Sequence, residues 1–464
     1  MDYNFYFAVL TKLYIMKNAL RLFGFVSLIA IMSACSGGSV GELIGVSKFA
    51  GYVPVTPYGM VYIHMGSYTM GATDDDLPFA HNSQPKTVSV PSFYVDDTEI
   101  SNAEYRQFLE WVTDSIALRY LADADVLPGE YFQTVETADD EVIVLNYDAM
   151  IEWDGEEERE VLDVMFITDE NDQFYNQKVL DPTQLNFEYY WVDYAQAATR
   201  KKRTKVIEYV NSLGQSTPVT YQDSRSKQII REVVNVYPDT LVWIHDFTYS
   251  YNDAMSENYF SHPAYDDYPV VGVTWGQARA FNAWRTRLMN NWKVSRGDLA
   301  MPSFRLPTET EWEYASRGGL DLGQYPWGGP YLRNRLGCPL ANFKPLRGDY
   351  VEDGGFYTVQ VDSYEPNDYG LYNMAGNVAE WTISAFDESV YQMNAELNPD
   401  YKYNAKKSEL PVFKRKVIRG GSWKDVPYYL QCGTRAYEYQ DTAKSYIGFR
   451  SVMSYLGRGQ SEMQ

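Results

Sequence analysis

Three cysteines and four histidines are the side chains of this 464-residue chain best suited to nucleophilic or metal chemistry. A pair of thiolates would hold a soft ion such as copper(I), and imidazoles repeated at helical spacing would hold zinc. His64, His81, His245 and His262 are scattered with no H-x-x-x-H pair, so each reads as a structural histidine. Cys35 sits far from the other two cysteines, in a setting of its own. Cys338 and Cys432 could pair in an oxidising compartment, but two cysteines do not make a disulfide scaffold.

Cys35 follows an apolar run, residues 22–32, that is too short to span a bilayer. Lys17 and Arg21 precede the run, and the small residues Ser33 and Ala34 close it. A charged start, a short apolar stretch and small residues at the cut describe a secretory signal peptide over 1–34, with Met16 as the expected start. Met32-Ser33-Ala34-Cys35 resembles a bacterial lipobox, which makes Cys35 the lipidated first residue of the mature chain. Acyl chains supply the anchor at about 0.8 kcal/mol per buried CH2. Residues 35–55, with Ser36-Gly37-Gly38-Ser39, then form a flexible tether.

The formal net charge is -22, from 40 basic and 62 acidic residues. That balance argues against nucleic-acid binding, which needs Lys and Arg on phosphates, and against direct adsorption on anionic lipid. The acidity is concentrated. Residues 114–193 hold 22 acidic against three basic residues, yet include apolar runs such as Val142 to Leu145 and Phe187 to Trp191. The tract therefore reads as a folded or partner-ordered insertion. The basic run Arg200-Lys201-Lys202-Arg203 follows at once, as a solvated face or as a contact for an acidic neighbour.

Three capping boxes mark the helices that must position any site. Ser101 with Glu104 precedes Tyr105, Phe108, Leu109 and Val112 at helical spacing. Thr274 with Gln277 precedes Phe281, Trp284 and Leu288 on one face, and Thr308 with Glu311 precedes Trp312 and Ala315, with Gly318-Gly319 as the stop. Between them lie turns rich in Gly, Asn, Asp and Pro and short runs such as Val270 to Val273. The fold class expected is α+β, loop-rich, with few helices and short strands and a long acidic insertion.

Six segments, in order, resemble the formylglycine-generating enzyme (sulfatase-modifying factor) domain, whose fold is C-type-lectin-like. They are residues 65–71, 269–275 and 305–314, then Gly370 to Trp381, Arg419-Gly420-Gly421-Ser422-Trp423 and Gly448-Phe449-Arg450. The resemblance covers 56–112 and 262–452, leaving 113–261 as an insertion, acidic then basic, and 453–464 as a tail. Trp312, Trp381 and Trp423 are suited to its core, and Arg419, Arg435 and Arg450 to forked hydrogen bonds with carbonyls or carboxylates.

Enzymes of that family use two cysteines shortly after the Gly-Gly-Ser-aromatic motif to hold copper(I) and attack a peptide. Here Lys424 to Gln431 contains no cysteine, so the resemblance does not carry the copper chemistry over and no catalytic residue is assigned. Cys432 matches a structural cysteine whose usual partner position is Ser316, and Asn282 stands where another family cysteine does. The expected state of Cys432 is a buried free thiol, or a disulfide with Cys338. The family's two calcium sites imply Asn342, Phe343 (carbonyl), Asp353 and Phe356 (carbonyl) for one, and Asn377, Val378 (carbonyl) and Glu380 for the other. An extra glycine near Asp353 distinguishes the first set from the usual motif, and plain Asn and Asp turn chemistry is the alternative. Calcium, if bound, would stabilise loops and take no part in a reaction.

The lipobox, the domain without its paired cysteines and the long insertion together resemble the GldK/PorK lipoproteins of the type IX secretion and gliding machinery. Residues 235–243 and 259–265 are similar to segments of that group, whose GldJ paralogues share much of the pattern. The resemblance implies an outer-membrane lipoprotein on the periplasmic face that forms a ring with a GldN/PorN-type partner. It also implies contact with a PorG-type outer-membrane protein and coupling to the inner-membrane GldL/GldM motor. The alternative is an oxidase or other enzyme of the formylglycine-generating type with altered catalytic groups.

Overall fold

Each of the three capping boxes opens a helix. Ser101 and Glu104 cap Asn102–Asp123, Thr274 and Gln277 cap Trp275–Ser295, and Thr308 and Glu311 cap Glu309–Ser316, with both reciprocal bonds made in every case. The last helix stops where Gly318 and Gly319 take φ of 58° and 86°. The computed structural model describes residues 55–457 apart from 73–82, 125–131, 137–140, 146–148, 154, 168–177, 199–203, 211–215, 223–227, 250–252 and 346–347. The leader, Cys35, the tether up to residue 54, His81 and the basic run 200–203 lie outside the described residues.

Two four-stranded sheets frame the helices. In the first, Met60–Ile63, Phe93–Asp96, Val452–Ser454 and Phe304–Arg305 pair antiparallel in that order. Val95 has Val61 on one side and Val452 on the other, so the two ends of the domain are laced together. This strand carries two residues past the boundary drawn after 452, and Met453 is fully buried. In the second sheet the order is Ala436–Tyr439, Arg415–Arg419, Ala379–Ala385 and Ile447–Gly448, the last pair parallel. Val270 to Val273 is buried but forms no ladder; Val270 and Gly272 instead donate to Ile100 and Lys444 carbonyls. The mixture of short strands, few helices and long loops is the α+β architecture expected.

The core is aromatic. Tyr105 and Phe108 from the first long helix meet Phe281 and Trp284 from the second, with Phe449 closing the group. Trp381 and Trp312 are the largest fully buried side chains, and their indole N–H groups donate to Val273 O and Glu380 Oε2. Burial of each such ring contributes on the order of 2–3 kcal/mol.

The boundary set after residue 112 falls inside the helix that runs to Asp123, because Ala117, Leu118 and Leu121 continue its buried face. They pack on Leu162 and Met165, which follow the acidic triplet 156–158. Asn186–Val192 pairs with Ile229–Asn235, and Phe187 and Tyr189 enter the same cluster as Phe108 and Phe281. Part of the insertion is thus folded onto the domain core.

A buried ion-pair cluster and the loop after the Gly-Gly turn

All eight residues of the helix Glu309–Ser316 are buried, including three glutamates at alternate positions. A buried carboxylate needs a cation with good geometry. Glu309 receives Arg435 Nε at 2.5 Å, Glu311 takes both ends of Arg305 at 2.6 Å, and Glu313 pairs with Arg317 at 2.7 Å and with Arg419. Burial works to raise the Glu309 pKa, but Arg435 and Arg419 win and hold it below the usual carboxylate range. Glu311 is held low in the same way by Arg305. Arg450 completes the set by clamping Glu380. The three arginines expected to fork onto acceptors all do so.

The chain then leaves this cluster at Gly420 and Gly421, both at positive φ. Ser422 is fully buried, and its hydroxyl donates to Asp425 Oδ2 at 2.6 Å. Burial pushes the Asp425 carboxyl above its ordinary range. Its backbone carbonyl accepts from Lys344 N. Arg419, Asp425, Tyr429, Glu438 and Tyr446 help line a cavity of about 160 Å³ beside this loop. It can hold several waters or a side chain.

Cys432 ends the loop as a buried free thiol, and Cys338 is free and exposed, so the two do not pair. Ser316 Oγ lies 3.1 Å from Cys432 Sγ, and burial pushes the thiol pKa up to about 11. Asn282 is buried in the second long helix, with its amide donating to Ala278 O. A thiol so protonated is a poor nucleophile.

In both calcium sets the carboxylate oxygens already accept hydrogen bonds. Asn342, Phe343 and Asp353 come together in one loop, but Asp353 accepts Phe343 N–H at 2.7 Å and Gly355 N–H at 3.2 Å, while Phe356 is exposed. Asn342 donates to Tyr357 O. In the second set Val378 is buried, and Asn377 Oδ1 accepts from Val359 N. Glu380 is filled by Arg450 and Trp312. The Arg450 guanidinium on Glu380 takes the place a cation would need in the second set, whereas Asp353 of the first set is engaged by two backbone N–H groups. Among the described residues no three His, Cys, Asp or Glu side chains cluster as metal ligands.

Sequence reasoning missed Glu99, Glu309 and Glu313. Glu99 is fully buried, accepts from Asn373 and Asn377 amides at 3.1 Å, and burial raises its pKa to about 8. The available signal was the alternation of Glu with Trp312 and Tyr314, which leaves that helix no polar face.

The sulfatase-modifying factor enzyme 1-like domain matches residues 49–455. The chain is 34% identical over 203 residues to the inactive C-alpha-formylglycine-generating enzyme 2 of Bos taurus, covering 42% of this chain and 54% of that one. It is equally similar, 34% over 202 residues, to the formylglycine-generating enzyme of Bos taurus, covering 41% and 45%. The chain thus spans about half the length of the curated relatives it matches. Among solved structures it resembles PvdO from Pseudomonas aeruginosa, with a TM-score of 0.42 at 15% identity over 88% of this chain and all of that one. With the family profile reaching across most of the molecule, insertion included, the chain belongs to the sulfatase-modifying factor enzyme 1-like (formylglycine-generating enzyme) domain family.

Proposed function

We propose that this chain is a non-catalytic member of its family that serves as an anchored assembly subunit. The observation that carries the reading is the loop after Gly421. It has no cysteine from Lys424 to Gln431, places Asp425 on Ser422, and ends in a thiol that burial keeps protonated. Peptide oxidation by paired thiolates has no groups to run on there. The similarity to an inactive relative supports the same reading.

In this reading Cys35 carries the lipid, and the domain forms a periplasmic ring with a GldN/PorN-type partner beneath the outer membrane. The ring contacts a PorG-type protein and is coupled to the GldL/GldM motor of type IX secretion. The lipobox, the family domain and the packed acidic insertion support it together. Negative-stain images of the detergent-solubilised native protein with its co-purifying partners test it. Large rings are expected; monodisperse single subunits in every preparation overturn the assembly role. The enzyme reading is favoured by the similarity to an active formylglycine-generating enzyme and by the cavity beside Asp425. Conversion of a cysteine-containing sulfatase peptide to formylglycine by the copper-loaded chain would establish it.

A further inference from the structure

The helix Trp275–Ser295 outruns the core it serves. Its apolar stripe runs Phe281, Trp284, Leu288, Trp292 at helical spacing. The first two rings are 2% and 5% exposed, but Leu288 and Trp292, on the next two turns, are 48% and 51% exposed. The spacing puts Leu288 on one face with Phe281 and Trp284, but burial along that face ends at Trp284. Leu299, just beyond the helix, is 72% exposed. The Arg296 guanidinium lies over the Trp292 ring, 4.1 Å from its centre.

Charge on this helix runs against the chain. The helix Trp275–Ser295 carries Arg279, Arg285, Arg287 and the buried Lys293 and no acidic residue, and Arg296 and Asp298 follow it, in a protein of net charge -22. Arg285 is spent on Asp96 and Arg279 on Glu232, whereas Arg296 stands at the tip.

Met289, one turn before Trp292, lies against the part of the domain where the chain enters it. Met60, in the first described strand, shares a cluster with Met301, Phe304 and Met453, and Met289 of this helix packs on it. About 20 residues of tether precede that strand, and such a length spans roughly 25 Å when flexible. An indole, two leucines and an arginine stacked on the indole are the side chains that lower their free energy at a headgroup boundary. There apolar bodies are buried and cationic tips stay with phosphate.

We propose that the exposed end of this helix, through Leu288, Trp292, Arg296 and Leu299, seats in the phospholipid headgroup layer of the membrane to which the chain is tethered. The domain would then be held at a fixed tilt to that surface. The inference rests on the reading of Cys35 as the anchor for the choice of membrane and for the reach of the tether.

The test uses the full chain from residue 35 with Cys35→Ser, so that no acyl chain contributes, floated with vesicles of the zwitterionic lipids phosphatidylethanolamine and phosphatidylcholine, which do not repel so acidic a chain. The chain is expected to float, and Leu288→Gln with Trp292→Gln to lower the floated fraction about tenfold at an unchanged melting temperature. Brominated lipid should quench one tryptophan component, and Trp292→Phe should remove it. Equal flotation of the double variant, or no flotation of the parent, overturns the proposal. So does a parent dimer in sedimentation that the double variant abolishes, since the face would then cover a second copy. Insensitivity of the quenching to Trp292→Phe overturns it as well, and stands in if the double variant does not fold. The intact mass of the native protein reports acylation of Cys35 separately, so the two readings fail independently.

Discussion

Arg450 donates from Nε to both Glu380 oxygens at 2.8 Å and from Nη2 to Oε1 at 2.6 Å, and neither side chain reaches solvent. The same guanidinium caps the carbonyls of Asp96 and Tyr372, so one side chain joins the first sheet, the loop before Gly376 and the second sheet. Removing one member leaves the other charged and buried. Arg450→Met and Glu380→Gln should each cost about 3–5 kcal/mol in urea melts, and Glu380→Leu with Arg450→Met much less than the sum. Single variants within about 1 kcal/mol of the parent would show that the clamp is not holding the sheets.

That clamp shows which parts of the fold could be read from residues alone. The three capping boxes fixed helix starts, because a cap is a local chemical event with a four-residue signature. Trp312 and Trp381 were identifiable as core by size, and Arg419, Arg435 and Arg450 as forks seeking acceptors. Their acceptors were not identifiable, since Glu309, Glu313 and Glu380 are separated from them by 126, 106 and 70 residues. Acidic residues are surface residues by default, and only tertiary packing overrides that. Helix ends were harder than starts for the same reason: what keeps Ala117 to Leu121 helical is Leu162 and Met165, brought in by the insertion.

Gly376 has φ of 82°, and a Cβ there would lie 2.2 Å from the Asn342 carbonyl oxygen. Backbone blocks this Cβ, and Asn377 N–H bonds to the same carbonyl, so the loop cannot yield without losing that contact. Gly376→Ala combines left-handed strain with a backbone clash and should destabilise by about 2–4 kcal/mol. Thermal melts check this; a shift of under a degree would mean that the Asn342 loop moves freely.

Lys416 is fully buried in the second sheet, with Nζ donating to Tyr403 O at 2.5 Å and lying 3.8 Å from the Trp275 ring centre. Burial, reinforced by Arg279, lowers its pKa from 10.5 to about 7. The folded pKa is therefore below the unfolded one, and the unfolded chain binds more protons between those values. Below pH 7 both states carry the charge and the full burial penalty stands; above pH 10.5 both are neutral and it is gone. The stability of the parent relative to Lys416→Met should rise with pH across that window, by up to about 1.4 kcal/mol per unit. Paired urea melts at pH 6.5 and 9 measure it, and a difference between the two proteins that is flat with pH would place the charge elsewhere.

Cys432 and Cys338 should differ sharply toward a thiol reagent, because reactivity follows thiolate fraction and access. Cys432 is buried with its pKa near 11, whereas Cys338 is exposed. At neutral pH only about one Cys432 in ten thousand is a thiolate, before access is counted. In the Cys35→Ser chain, Ellman's reagent should titrate one thiol in the native state and a second only in denaturant. Cys432→Ser places a hydroxyl beside Ser316 Oγ and should cost about 1–2 kcal/mol by burying a more polar group. It should leave assembly with partner proteins unchanged. Two fast native thiols, or loss of assembly in a folded Cys432→Ser protein, would assign this sulfur a chemical role and reopen the enzyme reading.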